Sequence, residues 1–161
     1  MKFSNKEWVF FGKFFIIFSA IQFFVFTADF SLLQNFIAGT QSDFLGLDHL
    51  NNFIFVKNGI FAIVPLCTGV VSASVLAAII FSLRKPGLKE KILVFFAGFI
   101  VLIVLNYFRV LLVVWTGKEF GIEIADWLHV LTWVSTTIFI IGIWFVFTKR
   151  ITGVKNFEGF L

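Results

Sequence analysis

The sequence predicts an all-α membrane protein, a bundle of four transmembrane helices with both termini on the cytoplasmic side, and three observations carry that prediction. Hydrophobic residues make up 60% of the 161-residue chain and charged residues 14%, against roughly 45–50% and 25% in soluble domains. Four apolar stretches each approach or exceed the ~20 residues that cross a ~30 Å hydrocarbon core. The basic residues collect at one set of stretch ends. No Ser/Pro/Gly linker or low-complexity tract divides the chain, so residues 1–161 read as a single transmembrane domain.

The first stretch, 8–28, is phenylalanine-rich and interrupted by Lys13. Its apolar run exceeds the 7–15 residues of a signal-peptide core, and no small-x-small cleavage site follows, so it reads as a retained helix. The other spans are predicted at 65–83, 92–115 and 127–148. Lys2, Lys6 and Lys13 open the first; Arg84, Lys85, Lys89 and Lys91 fill the connection between the second and third; Lys149, Arg150 and Lys155 follow the fourth. The opposite side carries only Lys57 and Lys118 against Asp29, Asp43, Asp48, Glu119, Glu123 and Asp126. The positive-inside rule makes the basic side cytoplasmic, which predicts a multi-pass protein of the cell membrane.

A long outer loop, 29–64, joins the first two spans. Its first part, "DFSLLQNFIAGTQSDFLGLDHLNN", mixes Phe and Leu with polar residues and suits a short interfacial helix. Its last part, "NNFIFVKNGIFAIVP", has two β-rich runs flanking Asn58 and Gly59, the strongest short hairpin signal. Read instead as a longer second helix starting at Ile60, the same residues would put Cys67 two turns deep. The hairpin is favoured because Pro65 suits the first position of a helix.

Cys67 is the only cysteine, which excludes an intrachain disulfide and a Cys-based structural zinc cluster. In the first turn of the second helix, unpaired N–H groups and the helix dipole favour an anion, a setting that suits a nucleophilic thiol. Taken alone, an unpaired cysteine is more often a small packing residue. Arg109 is the one cation well inside a span apart from Lys13, and about 9 Å below the outer end of its helix as predicted; such charges face a partner or a wet cavity, unless they snorkel to lipid phosphate. Asn106 shares its face three residues earlier. His129 opens the fourth span, with Thr132 and Thr136 continuing its face. A lone histidine at a membrane edge is usually interfacial, but three helices of alternating direction bring Cys67, Arg109 and His129 to one outer layer.

That trio fits acyl transfer: a thiol nucleophile, an imidazole to move its proton, and a guanidinium to stabilise an anion. Backbone N–H groups near Thr68 and Gly69 are further oxyanion donors on this reading. Asp126 is placed to orient His129, although a solvated loop acid is the commoner role. Gly69, Ala73 and Ala77 form a small-xxx-small face for helix packing. His49 is the only other histidine; there is no HExxH pair, GxSxG elbow or phosphate-binding loop, so no cofactor or metal is predicted. The basic residues read as topology determinants, not as a nucleic-acid patch.

The blocks "PLCTG" around Cys67, "LNYFRV" around Arg109, and His129 at the next helix start resemble the Cys, Arg and His blocks of the exosortase/archaeosortase membrane transpeptidases. Asn106 fits the N-x-x-R pattern. The likeness runs from the second half of the outer loop through the fourth span and is that of a compact, core-only member, many relatives having additional transmembrane helices. It implies a cysteine-dependent enzyme that processes secreted proteins bearing a C-terminal motif, transmembrane helix and basic cluster. By it Cys67 is the nucleophile, His129 the general acid/base and Arg109 the electrostatic partner. Water, a lipid amine or another amine would be the acceptor. Two alternatives stand beside this reading: a non-enzymatic scaffold or transporter subunit with a structural intramembrane Arg109, and an enzyme acting on lipid headgroups. Transport is disfavoured because the inner halves of the last two spans are almost wholly apolar.

Overall fold

The computed structural model describes residues 5–152. Lys2 and Lys155, two of the charges used for orientation, lie outside the described residues. The chain is mostly helical, with α1 at Asn5–Thr27, α2 at Ser31–Leu45, three short strands, α3 at Val70–Ser82, α4 at Leu88–Phe120 and α5 at Ile122–Thr152.

Among the described residues, α1, α4 and α5 are long and apolar enough to cross a membrane. They expose large apolar side chains along their length, including Phe23 and Phe24 of α1, Phe96 and Phe108 of α4, and Ile138 of α5. A surface of this kind is stable against lipid and not against water. The second predicted span, 65–83, is different. Its α-helix holds only 13 residues, about 20 Å, because the segment predicted as one helix over 65–83 breaks near its start. Pro65–Cys67 form a separate 3₁₀ turn, and Gly69 then adopts φ 85° before α3 begins. A Cβ at Gly69 would also lie 3.1 Å from Ile103 and 3.2 Å from the Cβ of Asn106. Backbone conformation and close approach to α4 both call for glycine here.

The third and fourth spans are longer than the apolar runs that predicted them. The connection expected over 116–126 is a single residue, Gly121 at φ 94°, whose N–H bonds to Gly117. Asp126 is therefore on α5 and not in a loop. Arg109 lies eleven residues before the end of α4, about 16 Å along the axis, deeper than expected because the helix continues through Phe120.

Between α1 and α3 the chain is folded into α2 and a sheet. Asp29 accepts the Ser31 N–H at 2.8 Å, a bond that holds its carboxyl below the usual range and helps start α2. This helix buries Ile37, Ala38, Gln41, Ser42 and Leu45, spaced for one helical face, and exposes Leu32, Phe36 and Phe44. Gln41 donates to the Tyr107 carbonyl at 3.2 Å, Tyr107 donates to Thr40 at 3.0 Å, and Lys118 donates to the Leu45 carbonyl at 2.7 Å, so α2 is tied to α4. The strands β1 (His49–Leu50), β2 (Phe53–Val56) and β3 (Gly59–Ala62) form an antiparallel sheet in that order. The expected hairpin is present, but Val56 pairs with Gly59, so the two-residue turn is Lys57-Asn58, with Asn58 at φ 63°, and Gly59 already belongs to β3. The preceding turn, with Asn51 at φ 54°, adds β1, a strand that the residue pattern does not signal.

Two cores stack along the bundle. One joins Ile37, Ile54, Ile63, Cys67, Val110 and Val114 beneath the sheet; the other joins Leu76, Ile80, Leu83, Leu102, Ile140 and Trp144 toward the basic end. The helix α3 packs on α1, α4 and α5, and α4 pairs with α5. Gln22 of α1 donates to Ser74 of α3 at 2.6 Å, an interhelical bond of the kind that holds apolar helices together. Close packing of α4 depends on Gly98, where a Cβ would come within 2.7 Å of Leu76 and 3.2 Å of Ile143. Gly98→Val should therefore destabilise the bundle by about 1–3 kcal/mol through overpacking, whereas Gly142→Ala, with nothing within 4 Å, should be close to neutral. Thermal unfolding of the two variants in detergent measures the difference.

Candidate active site

Cys67 is buried, at 6% exposure, and is fastened on both sides by its backbone. Its N–H donates to the Val64 carbonyl at 2.8 Å, and its carbonyl accepts the Asn106 side-chain amide at 2.6 Å. The turn is closed by Thr68, whose hydroxyl donates to the Pro65 carbonyl at 2.7 Å and whose N–H donates to the same oxygen at 3.1 Å. This corrects two expectations. Cys67 is not in the first turn of α3, and the Thr68 N–H is committed to Pro65 instead of facing a substrate oxygen. Both follow from the 3₁₀ turn, which satisfies locally the groups that a helix start would leave open. Gly69 contributes close approach to Asn106.

A cleft of about 160 Å³ opens beside Cys67 and is shared with His129 and Asp126. Residues Phe61 to Val64 form one wall and Val110, Val113 and Val114 of α4 the other. Asp126 and His129 are three residues apart on α5, and so on one face; Asp126 is exposed and His129 half-buried. From His129 the face continues through Thr132 and Thr136, as the spacing predicts. Their hydroxyls donate to backbone carbonyls one turn back, at 2.9 and 2.8 Å.

Arg109 is nine-tenths buried, so it does not snorkel to the surface. It borders two grooves, one between α4 and α5 lined with Asn106, Thr132, Ser135 and Thr136, the other reaching Leu66, Val71 and Ser72. Its charge is within electrostatic reach of both Cys67 and His129, and His129 is within reach of Asp126. Among the described residues, Arg109 Nε and Nη2 and Asn106 Oδ1 are buried without a hydrogen-bond partner. A buried cation with open donors is costly, and it is suited to receive an anion or a developing oxyanion.

The fold thus brings Cys67 and His129 to one cleft, with Asp126 on its rim, Asn106 holding the Cys67 backbone and Arg109 close below. The ring of His49 lies over Gly39 of α2, apart from this group. The Gln41–Tyr107–Thr40 link, which braces α4 next to Asn106 and Arg109, was missed in the sequence; the one available signal was that Tyr107, the chain's only tyrosine, sits between them.

A buried cysteine and arginine and a half-buried histidine at one end of an apolar helix bundle mark a multi-pass membrane protein with a candidate cysteine site. The chain belongs to the transmembrane exosortase family (Exosortase_EpsH), whose model matches residues 7–148. Members of this family are cysteine-type membrane transpeptidases that act on secreted substrates with C-terminal sorting signals. No curated protein and no solved structure matches the chain.

Asn106→Ala should cost about 1–3 kcal/mol, because it strands the buried Cys67 carbonyl. Cys67→Ala, which leaves that bond intact, should cost less. Parallel thermal melts would distinguish them, and equal losses would mean that the amide bond is not what holds the turn.

Proposed function

We propose that this protein is a membrane-embedded cysteine peptidase or transpeptidase that cuts the C-terminal sorting signals of secreted proteins at the extracytoplasmic face of the cell membrane. The observation that carries this reading is the cleft shared by Cys67 and His129, with a buried Arg109 nearby whose Nε and Nη2 are without a hydrogen-bond partner among the described residues.

Cys67 Sγ attacks the scissile carbonyl while His129 takes the thiol proton. The tetrahedral oxyanion is stabilised by Arg109, which compensates in part for the use of the Thr68 N–H elsewhere. Collapse of the intermediate breaks the peptide bond; His129 returns its proton to the leaving amine, and the N-terminal part of the substrate remains as a thioester on Cys67. Water then makes the reaction a hydrolysis, and a lipid amine or other amine makes it a transfer. Asp126 orients His129, and Asn106 positions Cys67 through its backbone.

The sheet supplies a means of holding an extended motif. β3 is an edge strand, and its end, Phe61 and Ala62, runs through Ile63 and Val64 along the cleft wall. A substrate strand added there would pass beside Cys67, with main-chain hydrogen bonds giving affinity and alternate side chains giving specificity. The transmembrane tail of the substrate would pack beside the bundle below.

Cys67→Ala should abolish processing with the protein still in the membrane. His129→Ala should slow it by about 10²–10⁴-fold, the range for loss of a general acid/base. Mass spectrometry of the wild type incubated with a sorting-signal peptide should find a peptidyl adduct on Cys67. Normal substrate maturation in the Cys67→Ala variant would refute the mechanism.

A further inference from the structure

At the end of α3 remote from Cys67, a cavity of about 370 Å³ is lined by Lys6 and Lys13 of α1 and by Arg84, which follows α3. Asn5 and Ser82 add polar groups and Phe10 an apolar wall. Lys6 and Lys13 are seven residues apart, two turns along one helical face, while Arg84 comes from a different part of the chain. Lys91, in the first turn of α4, is within electrostatic reach of Lys13 and donates to the Leu83 carbonyl.

Among the described residues no carboxylate lines this cavity. Glu90, which follows Lys89 in the first turn of α4, folds over Gly87. Basic residues that only orient a membrane protein need to be on the correct side, and the rule counts them without regard to where their side chains meet. Here cations from separate elements converge on one concavity. All three side chains are exposed at the bundle end, where an anion drawn from solvent or lipid can approach them together.

We propose that this cavity binds a phosphate anion, carried by the headgroup of an acidic phospholipid or free in solution. Three cations with polar neighbours match a phosphate's acceptor oxygens, and Phe10 beside them suits the adjoining glycerol and acyl region of a lipid. Basic pockets between transmembrane helices hold acidic lipid headgroups in this way. The site is at the opposite end of α3 from Cys67, so the proposal stands apart from the catalytic reading.

Native mass spectrometry of the purified full chain, incubated with dioleoyl phosphatidylglycerol or dioleoyl phosphatidylcholine, tests it, together with thermal unfolding in millimolar inorganic phosphate. Phosphatidylglycerol should be retained in preference to phosphatidylcholine. Its binding should weaken roughly fivefold per cation removed, and on the order of a hundredfold in the combined Lys6→Gln, Lys13→Gln, Arg84→Gln variant. Lys13→Arg, which keeps the charge, and Lys57→Gln, on the turn at the other end, should bind as the wild type does. Lipid retention that inorganic phosphate neither mimics nor displaces identifies the headgroup as the source; stabilisation by inorganic phosphate without lipid preference identifies a soluble one. Equal retention of the two lipids with no stabilisation by phosphate overturns the proposal, as does undiminished binding by the combined variant. The single variants Lys13→Gln and Arg84→Gln serve if the combined one fails to fold.

Discussion

The hydrogen bond from the Asn106 amide to the Cys67 carbonyl joins parts of the chain that local folding alone would leave unrelated. On one side is the end of β3 and the 3₁₀ turn; on the other is α4, the longest helix among the described residues. Gly69 makes the bond possible, because a side chain there would press on Ile103 and Asn106. With the turn fastened to α4, Cys67 has a defined height in the bundle, and Arg109, one turn further along α4, is brought into electrostatic reach of it. A bond of this kind between buried groups has no water to replace it, so its loss costs more than its formation alone would suggest.

The two ends of the bundle meet different physical demands. At the Cys67 end, α2 and the sheet bury polar groups such as Gln41, Ser42 and Asn106, and the link from Gln41 to α4 carries part of their hydrogen bonding. Away from it the helices are held by apolar contact, with the Gln22–Ser74 bond as a polar exception between α1 and α3. The opposite end gathers cations around a concavity. A membrane helix bundle can hold polar chemistry only where side chains or neighbouring elements satisfy it, and that requirement is consistent with the segment between α1 and α3 being folded instead of being a plain connector.

Much of this organisation was legible in the residues. Long apolar runs locate α1, α4 and α5 because a span must be apolar to lie in lipid, and the Lys57-Asn58-Gly59 segment marks a hairpin because positive φ is cheap for few residues. The turn was nevertheless misplaced by one residue: Asn58, not Gly59, takes the left-handed conformation, and either residue type can do so. The break after Cys67 was hidden for a related reason. Thr68 and Gly69 are compatible with a continuous apolar helix, and only contact with Asn106 on a distant segment selects the turn. The ends of α4 and α5 were underestimated because polar residues such as Lys118 and Glu123 end an apolar run without ending a helix.

By itself the sequence determined that the chain is a helical membrane protein, that its lone cysteine is followed in order by an arginine within the next long apolar stretch and a histidine at the start of the one after, and that these blocks resemble one family. Those properties are written in composition, period and spacing, which are local. The tertiary structure alone decided that Cys67 is in a 3₁₀ turn held by Asn106, that His129 and Asp126 share its cleft, and that Lys6, Lys13 and Arg84 surround a common cavity. The rotation of each helix about its axis settles which side chains meet, and in an apolar bundle that rotation depends on packing between segments far apart in the chain, where small residues and single hydrogen bonds choose among alternatives that hydropathy leaves equal.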